Sequence, residues 1–479
     1  MKKIAFIFIV CCIACKQKDV LPPKPLLPVP DSAQLAWHGM EMNAFVHFSI
    51  NTFTDKEWGY GDEGEKKFNP IAFDARQWVS VLKETGFKAL ILTCKHHDGF
   101  CLWPSKYTNH SVKNSPWKNG KGDIVLEVAT ACKEAGLKFG IYLSPWDRNH
   151  KDYGTPAYIE YYRNQLKELF TLYPSVFEMW FDGANGGDGY YGGKRETRRI
   201  DGRNYYDWPN TLTMVRQFNP NIIFFSDAGP GVRWVGNEKG VAGETNWNTI
   251  SADTLYAGKA GIEKLLNEGN ENGNRWIPAE CDVSIRPGWF YHAREDTLVK
   301  SPEQLLEIYL KSVGHGSLLL LNVPPDRRGL FHENDIKALR GFKSLLDKEF
   351  KTNYALNALT KTESFRGDDE KYSPMMTTDG DMETYWATDD DKVSGSIEID
   401  LGKTVNIKYV VLQEYIPLGQ RVKSFSVDVW KNNSWMNVAS ATTIGRKRIL
   451  KIDSMETNRI KVTILDSKAC PIISNIEVY

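Results

Sequence analysis

In the stretch FEMWFDGANGGDG (177–189), Glu178, Trp180 and Asp182 alternate, and a run of glycines follows. Side chains on a strand alternate with period two, so all three point to one face. Carboxyls brought together are the working groups for cleaving a glycosidic bond. They stand ~5–5.5 Å apart where configuration is retained and ~6.5–9.5 Å apart where it is inverted. Glu178 and Asp182 cannot form such a pair, because four residues at ~3.3 Å each put them about 13 Å apart along one strand. Glu178 therefore belongs deep in the structure and Asp182 at an accessible rim. The partner of Asp182 must come from another strand or loop.

The elements that must position Asp182 are short apolar strands alternating with amphipathic helices between about residues 43 and 350. Strands are expected at 43–50, 89–95, 138–144, 176–183, 221–227, 276–284 and 316–323, with a weaker one at 241–246. Helical patterns such as DARQWVSVLKETG, DIVLEVATACKEAG and ENDIKALRGFKSLLDKEF lie between them, several closing on glycine. Eight strands alternating with helices predict a (β/α)8 barrel. An open doubly wound sheet is the competing architecture, but no G-x-G-x-x-G follows the first strand. His47, the His96-His97-Asp98 triplet, Tyr142, Asp182, Asp227 and Asn322 all fall near the C-terminal ends of these strands. In such a barrel that face carries the active site. His96 and His97 would face opposite sides of a strand and have no suitably spaced third ligand, so neither a metal nor another cofactor is expected.

Beyond Phe350 the pattern becomes β-branched and alternating: IEIDLG, YVVLQEY, FSVDVW, RILKID, NRIKVTIL and ISNIEVY. This predicts an all-β sandwich over 351–479, after a barrel over 33–350. At the other end, Lys2 and Lys3 precede the apolar run IAFIFIVCCIAC, too short to span a bilayer, and the run closes on Ile13-Ala14-Cys15. Residues 1–15 resemble a lipoprotein signal with a lipid anchor at Cys15, which implies export to the periplasm or outer membrane of a Gram-negative bacterium. Residues 16–32, containing VLPPKPLLPVP, then form an extended tether. The other five cysteines are scattered and odd in number, so no disulfide framework is expected. Lys+Arg and Asp+Glu balance at 60 each, which argues against a nucleic-acid partner. The 15 Trp and 21 Tyr supply flat faces of the kind that stack on sugars, beyond those the core consumes.

The blocks TCKHHDGFCLWPS, GIYLSPWD, EMWFDGANG, WIPAECDVSIRPGWFYH and LLLLNVPPDRRG together resemble glycoside hydrolase family 29, the α-L-fucosidases. The segment TTDGDMETYWATDDDKVSGSIEIDLG resembles a discoidin, or coagulation-factor type C, sandwich, which implies either sugar binding or a structural buttress. The first resemblance implies a retaining exo-α-L-fucosidase with Asp182 as nucleophile. It places the general acid/base at Glu238 within VRWVGNEKG, with Glu244 and Glu280 as competitors. It further implies a sugar cradle of His47, Glu57, His96, His97 and Tyr142, with Trp58 and Trp289 against the ring and Arg286 as an addition. The first strand reads NAFVHFSI where the family pattern is M-F-I-H-W-G. That departure and VRWVGNEKG lean toward the subgroup cleaving α-1,3/1,4-linked fucose from Lewis-type glycans. The competing readings are a retaining glycosidase for a related sugar and a catalytically silent glycan-binding protein. Asp379, Asp381 and Asp389 to Asp391 raise the question of calcium in the sandwich without deciding it.

Overall fold

The computed structural model describes residues 20–173 and 175–479, so the segment expected to be a signal, with Cys15, lies outside the described residues. Eight parallel strands close into a barrel: β1 (Met42–Val46), β2 (Ala89–Lys95), β3 (Lys138–Leu143), β4 (Val176–Trp180), β5 (Ile223–Ser226), β6 (Val232–Trp234), β7 (Ala279–Ser284) and β8 (Leu318–Asn322). Each strand pairs with its sequence neighbours, and β8 closes on β1 with Phe45 opposite Asn322. β1, β2, β7 and β8 are buried along their whole length, as parallel strands covered on both faces must be.

Local chemistry starts and stops the covering helices. α1 (Ser32–His38) opens on a capping box in which Asp31 accepts from the Gln34 N–H. It plugs the N-terminal end of the barrel, where Trp37 joins Phe45, Tyr142, Trp180, Phe225 and Leu320 in the interior cluster. α2 (Ala75–Glu84) is capped by Asp74, and α3 (Ile124–Ala135) runs from Asp123 to a left-handed Gly136. α4 (Pro156–Leu172), α5 (Trp208–Phe218), α6 (Pro302–Ser312) and α7 (Glu333–Glu349) complete the layer.

The sixth strand is not at 241–246 but at Val232–Trp234, and no helix separates it from β5. Gly231 permits this return: a Cβ there would lie 2.7 Å from the Phe224 carbonyl oxygen. The segment first expected as a strand turns outward instead. The Glu244 carbonyl accepts from Thr442 and Arg448, and the Asn246 N–H donates to Thr443.

Those partners belong to the C-terminal antiparallel sandwich. Its main strands are β9 (Gly395–Glu414), β10 (Val422–Lys431), β11 (Ser434–Thr442), β12 (Arg448–Ser467) and β13 (Ile472–Val478). β9 and β12 are 20 residues each and pair with register breaks that bend them. Tyr409, Val411 and Ile449 pack into the barrel's outer core, so the two domains share apolar surface. The Pro-rich segment does not hang free. Its backbone carbonyls at Leu21 and Lys24 accept from Arg366 and Arg421, and the Leu26 N–H donates to the Leu418 carbonyl, strapping the chain to the sandwich. Buried guanidiniums need acceptors, and an extended chain with free carbonyls supplies them.

Candidate active site

Two concave regions lie at opposite ends of the barrel. The larger, about 760 Å³ beside α1 and α3, has no carboxylate or histidine in its lining. The smaller, about 240 Å³ at the C-terminal end, is walled by His47, Glu57, Trp58, His96, His97, Tyr142, Asp182, Asp227, Glu238, Asp282 and Trp289, over a floor of Phe45, Trp180 and Trp234. Size favours the first, but chemistry lies in the second, whose volume suits one small ring.

Each side chain arrives just beyond a strand. His47 follows β1, and its Nδ1–H donates to Asn322 Oδ1 at 2.9 Å, since that carbonyl oxygen can only accept. Burial pushes its pKa down to about 3. His96 and His97 follow β2. His97 Nδ1 lies 2.7 Å from Ser144 Oγ, whose own hydrogen goes to the Trp146 carbonyl, so the histidine donates. Burial lowers His97 to about 4, and its Nε2 stands 3.8 Å from Asp182 Oδ2. His96 stacks on Tyr142 with ring centroids 5.6 Å apart and is held neutral by burial.

Asp182 lies two residues past β4. Its Oδ2 accepts from Tyr142 OH at 2.9 Å and its Oδ1 from the Ala184 N–H at 2.7 Å, so the carboxylate is fixed in direction. Gly183 lets the Asp227 carboxylate come close, since a Cβ there would lie 1.9 Å from Asp227 Oδ2. Glu238 reaches in from the loop after β6, and its Oε2 accepts from Trp289 Nε1 at 3.2 Å. Burial raises its pKa, and the charges of Asp182 and Glu57 raise it further. Trp58, 53% exposed, stands at the mouth, edge-on to His97 and Trp146.

Three residues implied by the resemblance are not in this pocket. Arg286 is buried outside it, donating to Asp335 and Asp296 at 2.9 Å each and lying over the Tyr291 ring. Glu244 is exposed on the outer wall and engaged through its carbonyl. Glu280 lies below the floor, where Trp180 Nε1 donates to its Oε1 at 2.9 Å and Glu178 is its neighbour. Two further acids line the pocket: Asp227, expected near a strand's C-terminal end but without a role, and Asp282, which was not singled out. Asp227, one residue past β5, accepts from the Gly258 N–H and is pushed up to about 6 by burial. Asp282 accepts from Trp234 Nε1 at 2.8 Å and is raised by burial. The alternation Glu280, Asp282, Ser284 was the available signal for Asp282, placing it one rung above Glu280 on the same face. Among the described residues, no group of three or more His, Cys, Asp or Glu side chains is placed to hold a metal ion.

Carboxyls from β4 and β6 converge on one aromatic-floored pocket at the C-terminal rim of a (β/α) barrel, and that arrangement defines a glycoside hydrolase. Residues 26–349 match the Alpha-L-fucosidase family and residues 358–478 the F5/8 type C domain. The chain is 42% identical over 462 residues to Alpha-L-fucosidase 1 of Arabidopsis thaliana, covering 95% of this chain and 88% of that protein. A glycoside hydrolase 29 family member from an unknown rumen bacterium superposes with a TM-score of 0.86 at 44% identity, over 96% of this chain and 78% of the other. A Ruminococcus gnavus GH29 fucosidase in complex with fucose gives 0.86 at 34% identity, over 97% of each chain. The chain belongs to the α-L-fucosidase family, glycoside hydrolase family 29, and carries a C-terminal F5/8 type C domain. It is an enzyme that hydrolyses α-L-fucosides.

Proposed function

We propose that the enzyme releases α-1,3/1,4-linked L-fucose from Lewis-type or related glycans by double displacement, with Asp182 as nucleophile and Glu238 as acid/base. The observation that carries the assignment is the contrast between the two acids in one cavity. Both oxygens of Asp182 are oriented by hydrogen bonds, whereas burial and neighbouring negative charge favour the protonated form of Glu238. An Asp182 oxygen attacks the anomeric carbon as the bond to the departing oxygen breaks, and Glu238 gives that oxygen its proton. Glu238, now a carboxylate, takes a proton from water. The water oxygen bonds to the anomeric carbon, and the ester to Asp182 breaks.

His47, His96, His97, Glu57 and Tyr142 are the hydroxyl-binding set in this reading, and Trp289 faces the apolar methyl of the sugar. Neutral histidines suit the task, since each offers a sugar hydroxyl either a donor or a lone pair without an ion's desolvation cost. The linkage assignment is supported by VRWVGNEKG, which carries Glu238, and by Phe48 and Ser49 after His47. Hydrolysis of a Lewis trisaccharide compared with an aryl α-L-fucoside tests it. The branched substrate is expected to show the higher kcat/KM, and equal or reversed preference removes the linkage assignment.

A further inference from the structure

Glu57 and Trp289 come from different loops, one after β1 and one after β7, yet both wall the pocket. A single buried side chain joins the loops. His292 places Nε2 2.6 Å from Glu57 Oε1 and Nδ1 2.6 Å from Asp55 Oδ1. A carboxylate only accepts, so for both contacts to be hydrogen bonds each ring nitrogen carries a hydrogen. Asp55 is anchored in turn by Arg294 at 2.8 Å.

The junction is completed by backbone. The N–H groups of Trp289 and Phe290 donate to Glu57 Oε2 and Oε1 at 2.8 and 3.2 Å. Gly288 leaves room for this approach, since a Cβ there would lie 2.5 Å from Glu57 Oε1. Trp289 then faces two ways. Its carbonyl accepts from Asn322 Nδ2 at 2.8 Å, the amide whose oxygen holds His47. Its indole N–H is the donor to Glu238 Oε2. The chain Arg294–Asp55–His292–Glu57–Trp289 thus runs from an exposed ion pair to the acid proposed to protonate the leaving group. Among the described residues, loop backbone and His292 are what fix the Glu57 carboxylate.

We infer that His292 is a positioning residue: clamped between Asp55 and Glu57, it sets Glu57 against the sugar and, through the Trp289 backbone, sets the indole that holds Glu238. The second half of the inference rests on the acid/base assignment above. The first half rests instead on the proposed place of Glu57 among the sugar-binding residues.

The test compares His292→Ala, His292→Gln and Asp55→Asn in the full chain. It reads inhibition by free fucose and kcat/KM on fucosides with good and poor leaving groups. His292→Ala is expected to weaken fucose inhibition about tenfold, in line with the sensitivity of such sites to small misplacements. It should also cost the poor-leaving-group substrate several times more than the good one. Glutamine keeps one N–H for Glu57, so His292→Gln should recover fucose binding but not the full leaving-group behaviour. Asp55→Asn, at a half-exposed position that spares the fold, should shift both readouts in the same direction but less. If fucose inhibition is unchanged in all three and every substrate falls by one common factor, the role is structural and the inference is overturned. If instead Glu238→Ala, run in parallel, shows no leaving-group dependence, the acid assignment fails. The fucose readout then decides His292 alone.

Discussion

The barrel holds two sets of acids, at its floor and at its rim, and depth alone separates their chemistry. Glu178 and Glu280 sit on β4 and β7 below Trp180, fully buried, with indole N–H donors nearby and, among the described residues, no cation paired with either. Burial pushes both carboxyls upward, Glu178 to about 8, and the nearby Glu178 charge raises Glu280 further. Asp182, on the same strand line as Glu178, meets a tyrosine hydroxyl, a backbone N–H and an open cavity. Burial favours the neutral form of the floor acids, which fill the interior, while the rim acids line the open cavity. Four residues along one strand line separate a packing group from one that faces the cavity.

The largest effect expected from this contrast is at the rim. Asp182→Ala should lower kcat more than about 10⁴-fold on every fucoside, because the bond-forming group is gone. Glu238→Ala should cost ~10²–10⁴-fold on poor leaving groups, far less on an activated aryl fucoside, with azide restoring turnover. Steady-state kinetics on a leaving-group series separates the two roles. Parallel losses in both variants would dissolve the distinction between nucleophile and acid.

At the floor the expected effect is one of stability and its sign is set by pH. In the unfolded chain Glu178 ionises near the ordinary 4.5, whereas in the folded chain it keeps its proton to about 8. Between those values the unfolded state binds fewer protons, so stability falls as pH rises, by at most ~1.4 kcal/mol per pH unit. Glu178→Gln removes that loss while keeping shape. Its melting temperature relative to the parent should therefore rise steadily from about pH 5 to pH 8, with activity at neutral pH within a few-fold. A melting difference that is flat with pH would mean the floor acids are ionised in the folded protein.

The same depth argument explains what the sequence could disclose. β2 is legible residue for residue, because a buried parallel strand is a continuous apolar run bounded by polar residues. β6 is three residues long, too short for any period, and the apolar run preceding Glu244 attracted the assignment instead. β11 was missed because it is an edge strand with largely solvent-facing residues, so its alternation carries no hydrophobic contrast. β9 and β12 each read as two strands, since a register break looks like a turn when the partner is unseen. In the site, residues directly following a strand were legible through the rim rule, including Asp182, His96 and His97. Arg286 was not, because the charges that hold it, Asp296 and Asp335, lie 10 and 49 residues away in sequence. Nothing in local pattern announces such a pairing.

Glu244 provides the smallest and sharpest comparison with Glu238. The two lie six residues apart, both after β6, and sequence alone offers either as the acid. The loop turns between them. Glu238 lines the cavity and accepts from the Trp289 indole, while Glu244 is exposed outside the cavity lining and meets the sandwich through its carbonyl. Substitution keeps that carbonyl, so Glu244→Ala should leave kcat/KM on good and poor leaving groups within about twofold and stability within ~0.5 kcal/mol. Azide should have no effect on this variant. A leaving-group-dependent loss in Glu244→Ala that azide repairs would transfer the acid role from Glu238 and would require this loop to rearrange when substrate binds.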